Sequence, residues 1–394
     1  NRVQNLKISA IRRLSPYANE AKERGIKVYH LNIGAPDVQV PEEYFDSISN
    51  FKDRVLKYAP SPGLDFMREA TANYYQSKNI NIQKDEVFIT NGASEALNFA
   101  LMTVGNPGDE IITSNPFYSN YKNFFDQLEL TMNVFETSEE NGFQLPSEED
   151  IEKVISEKSV AILLSNPCNP TGAVYSKDEI QRIVNVAKRY DLYIIADEVY
   201  REFVYEGLEY TSFGEIEGIE DRLILLDSIS KRFGACGARI GSIASKNKDF
   251  LAQINKLCAG RLAVPTLEQY GAAALYSADE EYFKEVNEEY LKRRDTIYEE
   301  LKKIEGVEVY KSKGAFYVMP TLPIKDAEDF AKWLLTDFNV DGETVMMAPG
   351  DGFYYNSDHG KNQVRLAFVL NCEDIKKAMR ILALGLKEYQ SLER

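Results

Sequence analysis

Leu223-Ile-Leu-Leu226, Ser228-Ile-Ser-Lys231 and Cys236-Gly-Ala-Arg-Ile-Gly241 follow one another closely, and their order decides the fold. The uninterrupted apolar run reads as a strand buried on both faces. It stops just before a lysine set among small polar residues, and in open α/β sheets functional groups gather beyond the carboxyl ends of strands. A lysine placed there can form a Schiff base with a carbonyl compound. Read alone, it is more often a solvated surface charge, so the neighbouring sequence has to decide.

Outward from that stretch, short apolar runs alternate with helical patterns from about residue 85 to 245. The expected strands are Val87–Thr90, Glu110–Thr113, Val160–Leu164, Tyr193–Ala196, Leu223–Leu226 and Ile240–Ala244, with helices at Glu95–Thr103 and Asp178–Arg189 between them. This alternation predicts an α/β fold, a mainly parallel central sheet flanked by helices. The two ends of the chain differ, with a helix around Ile11–Arg24, a hairpin-like pair at Val307–Tyr310 and Ala315–Met319, and a closing helix at Ile375–Leu392. They predict a second, smaller α+β domain built from residues 1–44 and 291–394, beside a large domain at residues 45–290. The single Trp333, in the amphipathic run Asp329–Phe338, reads as core packing.

With 394 residues, the chain suits two or three domains by length. A formal charge of −16 opposes general binding to polyanions, so no nucleic-acid partner is expected. No uncharged run is long enough to span a bilayer, and no membrane partner is expected. The start, Asn1-Arg-Val-Gln-Asn-Leu-Lys-Ile8, lacks an apolar export signal, and the absent initiator Met points to trimming or incomplete coverage. Four scattered cysteines predict reduced thiols and a cytoplasmic setting. Only His30 and His359 are present, so no metal site and no histidine-centred triad is expected. Acidic clusters such as Glu148-Glu-Asp150 read as solvated helix starts, with Ser147 and Asp150 resembling a capping box.

Several strand ends carry chemistry beside the lysine. Asn166-Pro-Cys-Asn-Pro-Thr-Gly172 is a stiffened loop from which Asn169 can donate, although turn chemistry alone explains part of it. Asp197-Glu-Val-Tyr200 puts an acid at a strand end, where a structural ion pair is the plainer alternative to function. Asn91-Gly-Ala-Ser94 precedes a helix, as an anion seat or a simple cap. Asn115-Pro-Phe-Tyr118 offers an aromatic face or a core residue.

Together these groups resemble the class I aminotransferases, the aspartate aminotransferase-like branch of the pyridoxal-phosphate enzymes (fold type I). The likeness runs from Leu31-Asn-Ile-Gly-Ala-Pro-Asp37 through Tyr58-Ala-Pro-Ser-Pro-Gly63 to Val364-Arg-Leu-Ala-Phe368, and the ordered set Asn169, Asp197, Tyr200, Lys231, Arg239 and Arg365 carries it. The resemblance implies that Lys231 holds pyridoxal 5′-phosphate as an internal aldimine and then moves a proton at the substrate Cα. It implies that Asp197 pairs with the pyridine nitrogen, and that Tyr200 and Asn169 bond the ring oxygen. By the same likeness Tyr118 stacks on the ring, in place of the tryptophan many relatives use. Ala93, Ser94, Ser228 and Arg239 then seat the phosphate, and Tyr58 reaches the phosphate of a neighbouring subunit in a homodimer with shared active sites. Arg365 grips the substrate α-carboxylate through a planar fork, Asn169 also faces the substrate, and Gly34 lets the N-terminal segment close over it.

The implied activity is amino-group exchange between an L-amino acid, with aspartate leading, and a 2-oxo acid, with 2-oxoglutarate leading. Aromatic or broad specificity, a C–S β-lyase on the same scaffold, and a non-catalytic cofactor-binding regulator are the alternatives, because fold does not settle reaction. Dicarboxylate-specific relatives bring a second arginine from the partner subunit shortly before a proline. Arg261 lies near Pro265, but its offset does not match, and a structural or phosphate-side role is open to it.

Overall fold

The computed structural model describes residues 4, 6 and 8–392. Residues 1–3, 5 and 7, which make up most of the start considered above for export, and residues 393–394 lie outside it. Twelve strands occur among the described residues: β1 (Lys27–His30), β2 (Val87–Thr90), β3 (Glu110–Asn115), β4 (Thr131–Glu136), β5 (Ser159–Ser165), β6 (Tyr193–Asp197), β7 (Leu223–Ser228), β8 (Gly241–Ala244), β9 (Tyr317–Val318), β10 (Glu343–Met346), β11 (Ala348–Pro349) and β12 (Val364–Ala367). Seven form the central sheet, in the order β2-β8-β7-β6-β5-β3-β4. Every neighbouring pair is parallel except those made by β8, which runs against β2 and β7.

The apolar runs become central strands because the sheet is covered on both faces. In β5, Ile162 and Leu164 enter one core while Ala161 and Leu163 enter the other, and Ile194 and Ile195 of β6 divide in the same way. The helices Gly92–Val104 and Lys177–Arg189 connect strands as expected. Ser176 opens the second with a reciprocal cap, its Oγ accepting from Glu179 N at 3.3 Å while Glu179 accepts from Ser176 N at 2.8 Å. Ser147 makes only half of the expected box, accepting from Asp150 N and donating back to the Asp150 carboxylate.

Three expectations are corrected. The first helix spans Ser15–Glu23 rather than starting near Ile11. Pro16 lacks an N–H and is tolerated only in a first turn, so residues 10–14 stay in turns. The hairpin does not form, because β9 pairs with β12, leaving one bridge between Glu308 and Thr321. Edge strand β4 was not anticipated, since its Thr-Met-Asn-Val-Phe-Glu sequence is too polar for a buried run.

A third hydrophobic core joins residues of the two chain ends, among them Leu14, Ala18, Leu31, Phe316, Val345, Leu366 and Leu382, with Tyr200 and Phe203. The helix Glu280–Lys302 runs unbroken through the boundary expected at residue 290. The small strand pairs β1–β10 and β11–β12–β9 lie in this part of the chain, and β12 carries Arg365.

Candidate active site

The carboxyl ends of β2, β3, β5, β6 and β7 deliver Ala93 and Ser94, Tyr118, Asn169, Asp197 and Ser228 to one cavity of about 570 Å³. Because β8 is antiparallel, its first residue Gly241 pairs with Thr90 and Ser228, which brings the preceding Arg239 to the same edge. Arg365 and Tyr317 enter from β12 and β9, and Gly34 from the segment after β1. Of the twelve residues singled out above, eleven line this cavity: Gly34, Ala93, Ser94, Tyr118, Asn169, Asp197, Tyr200, Ser228, Lys231, Arg239 and Arg365. Tyr58 does not. It is 84% exposed and lies outside the cavity lining.

Lys231 Nζ donates to the Gly34 carbonyl at 2.8 Å. Burial lowers its pKa, and the positive charges of Arg365 and Arg239 add to this, against Cys236 and Asp197, which raise it. Asp197 moves the other way, raised from 3.8 to about 6, chiefly by burial. Tyr121 donates to its Oδ2 at 3.1 Å, whereas Oδ1 is buried with no hydrogen-bond partner. An unpaired buried acceptor on a strand end is costly unless a donor arrives.

Tyr200 sits in a short polar chain. Its hydroxyl meets the Tyr317 hydroxyl at 2.9 Å and accepts from Asn169 Nδ2 at 3.3 Å. Asn169 Oδ1 accepts from Arg365 NH1 at 2.9 Å, and the Asn32 carbonyl accepts from Arg365 NH2 at 2.7 Å. Arg365 Nε is buried without a partner, and the guanidinium lies over the rings of Tyr317, at 4.3 Å, and Phe353. Tyr118 packs edge-on to Tyr121 at a centroid distance of 5.4 Å.

The opposite end of the cavity is built for an anion. The helix Gly92–Val104 starts without a side-chain cap from Asn91, so its first N–H groups and dipole face the rim. Gly92 has φ +74°, and a Cβ there would overlap the Arg239 guanidinium. Arg239 is exposed and, among the described residues, bonds only to the carbonyls of Cys236 and Asn91, at 3.1 and 3.3 Å. Ser228 Oγ donates to Ile240 O at 2.9 Å and accepts from Ser230 N at 3.1 Å. Gly34 is a site of close approach, since a Cβ would collide with the Tyr317 phenol.

Sequence reasoning missed Tyr317, Tyr121, Asn32 and Arg12. Asn32 lay inside the quoted Leu31–Asp37 stretch and Tyr121 three residues beyond Tyr118, but nothing local marked either. Arg261 stands outside the cavity, paired with Glu95 at 3.3 Å and donating to the carbonyls of Ser61 and Ile89, a structural role.

The class I and II aminotransferase family model matches residues 26–382. A Sulfurisphaera tokodaii protein named aspartate aminotransferase is 32% identical over 366 residues, covering 91% of this chain and 90% of its own. A Methanocaldococcus jannaschii protein named (5-formylfuran-3-yl)methyl phosphate transaminase is 33% identical over 92% of each chain. The solved structure of an alanine aminotransferase from Pyrococcus furiosus is similar with a TM-score of 0.90 and 32% identity, over 98% of this chain and 99% of that one. The chain therefore belongs to the class I and II aminotransferases, as an aspartate aminotransferase-like, pyridoxal-phosphate-dependent transaminase.

Proposed function

We propose that the cavity binds pyridoxal 5′-phosphate and exchanges an amino group between an L-amino acid, foremost aspartate, and a 2-oxo acid, foremost 2-oxoglutarate. The observation that carries this is the unpaired, buried Oδ1 of Asp197 in a cavity shared with Lys231 and Arg365. A protonated ring nitrogen is a donor of the kind that acceptor lacks. The uncapped helix start and Arg239 fit a phosphate, and Lys231 fits an aldehyde, so the residues suit the group. When bound, the cofactor supplies an electron sink conjugated to the substrate Cα.

The protein's own residues do the rest. Asp197 holds the proton on the ring nitrogen. Lys231 would hold the cofactor's aldehyde carbon, and its amine would take up and return a proton at the substrate Cα, a role that its lowered pKa favours. Tyr200 and Asn169 bind the ring oxygen, Tyr118 stacks on the ring, and Ala93, Ser94, Ser228 and Arg239 hold the phosphate. Arg365 binds the α-carboxylate, its unpaired Nε being one donor of the fork. Gly34 allows the segment after β1 to close over the substrate.

Tyr58 serves the neighbouring subunit's phosphate in a homodimer. Its exposure away from its own cavity supports this, as do the exposed apolar residues Phe45, Val55, Leu56 and Leu262. Full specific activity from a species that sediments as a monomer contradicts it. The division into a large cofactor domain at residues 45–290 and a small domain from both ends is supported by the core that unites those ends. Four unpaired cysteines support a cytoplasmic setting.

The test is spectroscopic. Holoprotein mixed with single amino acids should lose its visible cofactor band and regain it when 2-oxoglutarate is added, with aspartate fastest. No reversible exchange with any amino acid overturns the proposal. Alanine in place of aspartate is the second reading, favoured by the Pyrococcus furiosus neighbour.

A further inference from the structure

Four cations line the cavity, Arg12, Lys231, Arg239 and Arg365, against the single carboxylate of Asp197. In a chain of net charge −16, that local excess marks a site for anions. On the reading above, Arg239 belongs to the phosphate and Arg365 to the α-carboxylate. Arg12 is the remaining cation. Its guanidinium makes no hydrogen bond or ion pair with any described residue. The adjacent Arg13 is ion-paired within the chain, with Asp351 at 2.5 Å and Glu328 at 2.9 Å.

The segment carrying Arg12 is fastened in place. Arg12 N and Arg13 N donate to Ser9 O, and Ser9 Oγ meets Ser119 Oγ at 3.2 Å, next to Tyr118. Ala10 packs with Met319, Ala348 and Phe353. Pro16 prevents the following helix from absorbing these residues. Most telling is Asn32, which is fully buried. Its Nδ2 donates to Ile11 O at 2.7 Å, and its carbonyl accepts from Arg365 NH2 at 2.7 Å. One residue thus ties the backbone beside Arg12 to the guanidinium of Arg365.

Resting on the transaminase reading, we propose that Arg12 binds the side-chain carboxylate of a dicarboxylic amino acid or oxo acid, in the same chain that supplies Lys231 and Arg365. Two arginines registered through Asn32 bind a molecule with a carboxylate at each end. This supplies within one subunit the cation that Arg261 does not, because Arg261 is held at Glu95 outside the cavity. Specificity for aspartate over alanine then rests largely on residue 12.

The experiment compares wild-type holoenzyme with Arg12→Gln and Arg12→Lys. The ratio of kcat/KM for aspartate to that for alanine, with one oxo acid, should fall roughly 30-fold or more in Arg12→Gln and recover in part in Arg12→Lys. Succinate, an unreactive dicarboxylate titrated against the cofactor spectrum, should lose about tenfold or more in affinity in Arg12→Gln. A ratio that moves less than about threefold, or equal losses on both amino acids with a lowered unfolding midpoint, overturns the assignment. A wild-type enzyme that transaminates but binds succinate no better than propanoate overturns Arg12 alone. One that exchanges no amino group at all overturns the transaminase reading, and this inference with it.

Discussion

Lys231 and Arg232 are consecutive cations on one short helix, Ile229–Arg232, and they meet opposite surroundings. Lys231 opens onto a cavity where cations outnumber carboxylates, and its pKa is lowered, first by burial. Arg232 turns into the closed interior, where it pairs with Asp227 and lies 4.2 Å over the Tyr74 ring. Burial is the largest single influence and lowers its pKa, but Asp227, Tyr74 and Tyr276 together outweigh it and the net shift is upward. Nearby, Arg201 and Glu198 pair at 2.6 Å, both buried. The difference teaches how to sort buried charges. Where the chain supplies the counter-charge, the cation is part of the framework. Where it does not, the missing anion is a ligand.

The largest expected effect comes from breaking the cavity side. Lys231→Ala should lower kcat roughly 10⁴-fold or more, while phosphate-anchored cofactor binding survives in part. Near-normal turnover would leave Lys231 no different from Arg232. Next is the framework side. Arg232→Met leaves Asp227 uncompensated, and unfolding free energy should drop by about 3–5 kcal/mol. A loss under about 1 kcal/mol in a denaturant titration would erase the contrast.

The smallest effect sharpens the comparison through pH. A carboxyl raised from 3.8 to about 6 costs roughly 3 kcal/mol at most when ionised, and less here because Asp197 opens onto the cavity. The folded state holds this proton more tightly than the unfolded state. The penalty is therefore absent below pH 4, grows as pH rises to about 6, and stays above that. In cofactor-free protein, Asp197→Asn should match wild type at pH 4 and exceed it by about 1–2 kcal/mol at pH 7.5. A gap that does not change with pH would show that Asp197 already has its partner within the chain.

Much of the sheet was legible in advance because strands buried on both faces cannot afford polar residues. Ile162, Leu163 and Leu164 alternate between two cores, so the run reads as apolar throughout. Strand β4 escaped notice because an edge strand is only half covered, and its Asn133 and Glu136 are pairing residues rather than core. The hairpin failed because β9 finds its partner in β12, a pairing between segments far apart that no local pattern encodes. The site divides in the same way. Residues at strand ends, such as Asp197 and Lys231, were legible from position and type. Tyr317 and Arg12 come from segments without motifs, and only folding brings them to the cavity, while Asn32 lay inside a quoted stretch but shows its tie to Arg365 only in the fold.

The measurement that bears most directly on this account locates the covalently held cofactor. Holoprotein reduced with borohydride, digested and analysed by mass spectrometry should carry the pyridoxyl mass on Lys231. Finding it on another lysine, or on none, would contradict the assignment of the cavity as the catalytic centre.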